Sequence, residues 1–95
     1  MTMLETCVSP HLGMAQHGHV RLDWRAPERV LERVRPVAWT CGCRATVYEL
    51  FQGGGQGFIR RTLQLDDGHR VDESHRWSIA KARATWTALL SGKAR

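Results

Sequence analysis

The segment 52–57, with four glycines among six residues, constrains the fold of this 95-residue chain more than any other part. Glycine readily adopts the positive φ angles that tight hairpin turns require. The segments on either side, 44–51 and 58–64, contain β-branched and aromatic residues that favour strands. The pattern therefore predicts an antiparallel β-hairpin.

A C-terminal helix is predicted over Ile79–Leu90 because both of its ends carry the expected residues. Ser78 is a favourable N-cap, and Gly92 is typical of the position that follows a helix. The apolar residues of the segment recur at helical spacing: Ile79, Ala82, Trp86, Leu89 and Leu90. We expect this apolar side to cover the sheet face that carries Ile59 and Leu63.

Further elements are indicated on both sides of the hairpin. A turn at 66–68 precedes a short strand over 69–73, and 37–43 is another candidate strand. Pro27 suits the first position of a helix and Pro36 its end, so a short helix is predicted over 26–35. The predicted fold is α+β: a small three-stranded antiparallel sheet with the C-terminal helix on one face, preceded by the short helix and a flexible N-terminal arm.

The chain is short enough for one domain. Residues 1–22 show no hydrophobic period and contain one proline, two glycines and three histidines, so we interpret them as the flexible N-terminal arm. Residues 23–95 are then a single small α+β domain.

The net charge of +5 favours anionic partners such as nucleic acid. Twelve of the cations are arginines, and the chain has no asparagine, a composition that a GC-rich bacterial genome would also produce. The three cysteines are an odd number, and no secretion signal or long apolar span is evident. We therefore expect a reduced cytoplasmic protein with no membrane partner.

Catalytic and metal motifs are weak. Cys41 and Cys43, with Cys7 and nearby histidines, could supply zinc ligands, but the usual motif has two to four residues between its cysteines and here there is one. The alternative is that Cys41 is a small buried residue beside Trp39. No nucleophile has a placed base, so we predict a non-enzyme without cofactor, metal or small-molecule substrate.

Nucleic-acid binding is the function favoured by the charge pattern. Arginines and an aromatic residue on an open sheet face can contact phosphates and bases. The predicted contact residues are Arg44, Tyr48, Arg60, Arg61, Thr62 and Arg70. The opposing interpretation is that the arginines are a solvated surface.

Three parts of the chain carry a resemblance to known domains: 57–61 (Gly-Phe-Ile-Arg-Arg), the turn at Asp67-Gly68 and the segment 77–86. Through these residues the chain resembles small DNA-binding domains with a three-stranded sheet and one helix. Examples are the arm-binding domain of tyrosine recombinases and the plant AP2-type domain. In such domains the sheet lies in the major groove, and the resemblance implies that Arg44, Arg60, Thr62 and Arg70 contact DNA here.

Three hypotheses follow. The first is a small DNA- or RNA-binding accessory or regulatory protein. The second is a protein-interaction module or homodimer, suggested by the two-sided apolar strand near Tyr48 and by the four tryptophans. The third is a zinc-stabilised domain.

Overall fold

The computed structural model describes residues 9–27 and 33–95 and shows an antiparallel sheet covered by one helix. The strands are β1 (Arg35–Trp39), β2 (Thr46–Gly53), β3 (Gln56–Leu65), β4 (Gly68–Glu73) and β5 (Trp77–Ser78), followed by α1 (Ile79–Leu90). The sheet order is β1-β2-β3-β4, and β5 pairs with the start of β3. No helix among the described residues is long and apolar enough to cross a bilayer.

The glycine hairpin forms as predicted and sets the register of the two central strands. Gly54 and Gly55 have φ angles of 60° and 77°, so both residues at the tip require glycine-like freedom. The resulting register pairs Leu50 with Ile59 and Tyr48 with Arg61. Because directly paired residues share a face, this register decides which side chains meet α1.

The core lies between α1 and one face of the sheet. Ile59 and Leu89 are fully buried there, with Leu50 and Trp86 beside them. The approach is close at Gly57, where an added Cβ would lie 2.7 Å from Ala82 Cβ. The prediction that α1 covers the face of Ile59 is confirmed by this packing.

The predicted three-stranded sheet is wrong, because the sheet has four strands in its main path and a short fifth. β1 is the added edge strand: Arg35 pairs with Gln52 and Pro36 with Phe51. Pro36 is tolerated because an edge strand can lack a donor on its outer side, and the register shifts between Pro36 and Ala38. The candidate strand predicted over 37–43 thus begins earlier and ends at Trp39.

The predicted preceding helix is also wrong. Arg33 and Val34 have no regular structure, and Arg35 already belongs to β1. The middle of that segment, 28–32, lies outside the described residues. Pro36, the predicted end of the helix, instead lies inside β1.

Residues 13–20 lie along the C-terminal end of the chain, and Arg25 pairs with Glu73 of β4. Gly13 N–H donates to Leu90 O at 2.7 Å, and Val20 N–H donates to Lys93 O at 2.8 Å. Leu12 and Trp24 pack against the core from this segment. The domain boundary at residue 22 and the mobility of the arm stay predictions, and residues 1–8 lie outside the described part.

Candidate functional site

The predicted nucleic-acid contacts are divided between the two faces of the sheet. Tyr48 and Arg61 are cross-strand partners on the face that also carries Leu50 and Ile59. Arg60 and Thr62 point to the opposite face. The sequence pattern had placed Tyr48 beside Arg60, and the structure separates them.

Arg60 is held on its face by a carboxylate and an aromatic ring. Its Nε and Nη2 donate to Glu73 Oε2 at 3.2 and 3.0 Å, and its guanidinium lies 4.4 Å from the centre of the Phe51 ring. Glu73 is almost fully buried, whereas a third of the Arg60 side chain is exposed. Much of the positive charge of Arg60 is therefore compensated within the fold.

Arg61 is engaged in the same way on the other face. Its Nη2 donates to Asp72 Oδ2 at 2.7 Å, and its guanidinium lies 4.4 Å from the Trp24 ring, which in turn contacts Tyr48. This hydrogen bond from Arg61 holds the pKa of the Asp72 carboxyl below its ordinary value, although burial of Asp72 opposes the shift. Tyr48 itself is buried beneath these residues.

Arg44 and Arg70 are the predicted contacts that remain exposed. Arg44 follows the turn after β1, and Arg70 lies on β4 with its Nε 3.5 Å from Asp72 Oδ2. Thr62 is half-buried at the centre of β3. A role for these residues in nucleic-acid binding stays a prediction.

A larger excess of positive charge lies around α1, where the sequence analysis had not placed a site. Residues 74–95 contain no carboxylate side chain. The cations of this segment are Arg76, Lys81, Arg83, Lys93 and Arg95. Lys81, Arg83 and Lys93 are exposed, so much of this charge faces solvent.

A groove lies between residues 20–23 and α1, and we call it the helix groove. Its lining includes Arg21, His75, Trp77 and Lys81, with small residues of α1 between them. The His75 and Trp77 rings meet edge to face with centres 5.0 Å apart. The carboxylate in the lining, Asp23, forms an ion pair with Arg25 at 2.7 Å.

A second cluster brings His11 to the turn that carries Cys41 and Cys43. The Nε2 of His11 and the two Sγ atoms all lie within 4.8 Å of one another, and Cys43 Sγ lies 3.2 Å from His11 Nε2. His11 and Cys43 are exposed, and Cys41 is half-buried. Cys7, which the sequence analysis considered with them, lies outside the described residues.

Sequence reasoning missed the helix groove and the approach of His11 to Cys41 and Cys43. The groove depends on the docking of residues 20–23, which have no periodic pattern to reveal it. His11 could be named only as one of several histidines near the cysteines, because nothing in the sequence shows that a residue 30 positions away will reach Cys41. The only available signal was the close spacing of Cys41 and Cys43.

The arrangement defines a small α+β domain with a cationic groove beside its helix and a cluster of His11, Cys41 and Cys43 at the turn before β2. Comparison with protein families, with curated proteins and with solved structures finds no match to this chain. The resemblance to three-stranded DNA-binding domains gains no support from these comparisons, and the sheet of this chain has more strands.

Proposed function

We propose that the protein binds nucleic acid, with DNA as the first choice, as a non-enzymatic accessory or regulatory protein in the cytoplasm. The observation that carries the proposal is the helix groove. It combines an aromatic pair, His75 and Trp77, with cations at Arg21 and Lys81. Proteins that bind single-stranded nucleic acids use this combination, because the bases stack on the aromatic rings and the phosphates contact the cations.

The charge distribution supports the same surface. Arg60 and Arg61 of the sheet are engaged with Glu73 and Asp72, whereas residues 74–95 have no carboxylate side chain. Asp23, the carboxylate in the lining of the groove, is paired with Arg25. Uncompensated cations release counterions from a polyanion when they bind it, and this release dominates non-specific affinity. The groove therefore offers more binding free energy than the paired arginines of the sheet.

The test compares two double variants that change the net charge equally. Arg21→Glu with Lys81→Glu reverses the charge of the groove, and Arg83→Glu with Lys93→Glu reverses two exposed cations outside its lining. Fluorescence anisotropy with a labelled oligonucleotide, single-stranded or duplex, measures the affinity. We expect the groove variant to lose at least about tenfold more affinity than the matched control, since each phosphate contact contributes separately.

Equal losses in both variants would show that only the overall charge matters and would reject the groove as the site. No detectable binding by the wild-type protein at low salt would reject the function. Circular dichroism confirms that each variant is folded before the affinities are compared. Both pairs are exposed, so neither variant is expected to disturb the core.

Self-association is a second candidate, supported by the exposed edge of β1. Trp39 is 51% exposed and Val37 is 37% exposed. Both lie on β1, which has a partner strand on one side only in the described part of the sheet. Edge strands with exposed apolar residues can pair with a second copy. Light scattering at high micromolar concentration tests this: a dimer that Trp39→Lys converts to a monomer supports it, and a wild-type monomer rejects it.

A further inference from the structure

We propose that His11, Cys41 and Cys43 bind a zinc ion that fastens the N-terminal segment to the turn between β1 and β2. The proposal is independent of nucleic-acid binding, because none of these residues lines the helix groove. Its first support is the combination of donor types. Two thiolates and an imidazole favour zinc over magnesium or calcium, which prefer oxygen ligands.

The distances suit a tetrahedral site. With Zn–S and Zn–N bonds of about 2.3 and 2.0 Å, neighbouring ligand atoms lie about 3.5–3.8 Å apart. The three donor atoms here are within 4.8 Å of one another, and the closest pair, Cys43 Sγ and His11 Nε2, is at 3.2 Å. Shifts of up to about one ångström in the side-chain atoms would bring all three donors onto one ion, where they would occupy three of the four tetrahedral positions.

The turn that carries the cysteines is fixed by hydrogen bonds from several directions. Thr40 is buried, and its N–H donates to Tyr48 O at 2.9 Å while its Oγ1 accepts from Tyr48 N–H at 3.0 Å. Gln64 Nε2 donates to Arg44 O at 2.8 Å and to Gly42 O at 3.3 Å. The two cysteines therefore extend from a backbone that does not have to be ordered when the ion binds.

His11 is held in place on both sides along the chain. Pro10, which precedes His11, accepts a hydrogen bond through its O from Cys41 N–H at 2.9 Å. Gly13, two residues after His11, donates its N–H to Leu90 O. Leu12 packs against the core. A preorganised donor set of this kind loses little conformational entropy on binding metal, which favours high affinity.

The binding step is a simple exchange of protons for metal. Each cysteine thiol releases its proton to solvent as its Sγ bonds to the ion, and His11 binds through the lone pair of neutral Nε2. No electron is transferred. Affinity should therefore fall as the pH is lowered, because protons compete for all three donor atoms.

The site also predicts a structural effect. Zinc would join residue 11 to residue 43 and so close a long loop of chain that otherwise depends on hydrogen bonds and on Leu12. Because the ion binds the folded state, it stabilises the fold by RT ln(1 + [Zn]/Kd), which rises with the logarithm of the zinc concentration. Removal of zinc should lower the melting temperature and release residues near His11 first.

The experiment uses the full chain, kept reduced and freed of metal with a chelator. Zinc is titrated in competition with a chromophoric chelator, and cobalt is used as a spectroscopic substitute that reports thiolate bonds and tetrahedral geometry. We expect one zinc per chain. We expect His11→Ala, Cys41→Ser and Cys43→Ser each to weaken binding more than about a hundredfold, since even the hydrogen-bond partners of metal ligands are worth about ten- to a hundredfold.

His17→Ala is the matched control, because His17 is an exposed histidine outside the cluster, and its affinity should equal that of the wild type. Wild-type protein that takes up no stoichiometric zinc when reduced would overturn the proposal without any variant. Zinc bound with unchanged affinity by Cys43→Ser or His11→Ala would also overturn it. Nucleic-acid binding is measured separately, so either proposal can fail without the other.

Discussion

Replacement of Arg61 by leucine should destabilise the protein because it leaves the buried Asp72 carboxylate without its main partner. The Asp72 side chain is 8% exposed and accepts from Arg61 Nη2 at 2.7 Å. Its other cation, Arg70, is at 3.5 Å and is largely exposed. Breaking a buried ion pair costs about 3–5 kcal/mol, and the contact of Arg61 with the Trp24 ring contributes about 0.5–1 kcal/mol more.

Two features reduce this loss. Arg70 still compensates part of the charge of Asp72, and the Nε of Arg61 is a buried donor with no acceptor in the described structure, so its removal costs nothing. We therefore expect Arg61→Leu to lower the free energy of unfolding by about 3 kcal/mol near neutral pH. Arg70→Leu, which removes an exposed partner, should cost less than about 0.5 kcal/mol and serves as the control.

The pH dependence gives an independent check. Arg61 lowers the pKa of Asp72 in the folded state below its ordinary value of 3.8. A lowered folded pKa means that the ion pair stabilises the fold above that value and that this stability is lost as the pH falls through the folded pKa. The difference in the free energy of unfolding between wild type and Arg61→Leu should therefore have its full value at about pH 7 and should become smaller below about pH 4.

These free energies are measured by urea unfolding at about pH 7 and again below about pH 4, with tryptophan fluorescence as the probe. The double variant Arg61→Leu with Asp72→Asn completes a cycle and should recover part of the loss, because the unpaired charge is then absent. A loss under about 1 kcal/mol for Arg61→Leu, or a loss that is the same at both pH values, would contradict this account of the pair.

Three further substitutions test the packing. Gly57→Ala should cost about 1–3 kcal/mol in urea unfolding, because its Cβ would lie 2.7 Å from Ala82 Cβ, while Gly42→Ala, where an added Cβ meets nothing within 4 Å, should be nearly neutral; equal effects would refute the close approach. Ser78→Ala should cost about 1 kcal/mol in thermal unfolding, because it removes the acceptor for Lys81 N–H at 3.2 Å, and an unchanged melting temperature would contradict the cap. Trp24→Ala should cost about 3 kcal/mol, because the ring contacts both Tyr48 and Arg61, and a loss under about 0.5 kcal/mol would mean that residues near Trp24 are not docked.

The hairpin and α1 were predictable because each is specified by residues close together in sequence. The predicted bounds of α1 are those observed, and Ser78 caps it as expected. Gly92 has a φ of 82°, which explains why glycine follows the helix. Such elements need no knowledge of the remaining fold.

The elements that were predicted wrongly depend on distant partners. A proline that follows a helical pattern usually marks the end of a helix. Only the pairing of Arg35 with Gln52 shows that Pro36 lies in an edge strand. Which side chains of β2 and β3 share a face depends on the register of the two strands. Tyr48 was therefore predicted on the same face as Arg60, whereas it lies on the opposite face, paired with Arg61. The meeting of His11 with Cys43 depends on the docking of the N-terminal segment, for which the sequence has no periodic signal.

The salt dependence of nucleic-acid affinity tests the central claim most directly. For a single strand, the binding mode that the aromatic pair of the groove suits, the logarithm of the binding constant falls by about 0.7 per logarithmic unit of salt for each phosphate contacted, so Arg21 and Lys81 together should contribute a slope of about −1.4. We predict a steep slope for the wild type that becomes shallower by about this amount in Arg21→Glu with Lys81→Glu. A slope near zero, or one that the groove variant leaves unchanged, would contradict the claim that this groove binds nucleic acid.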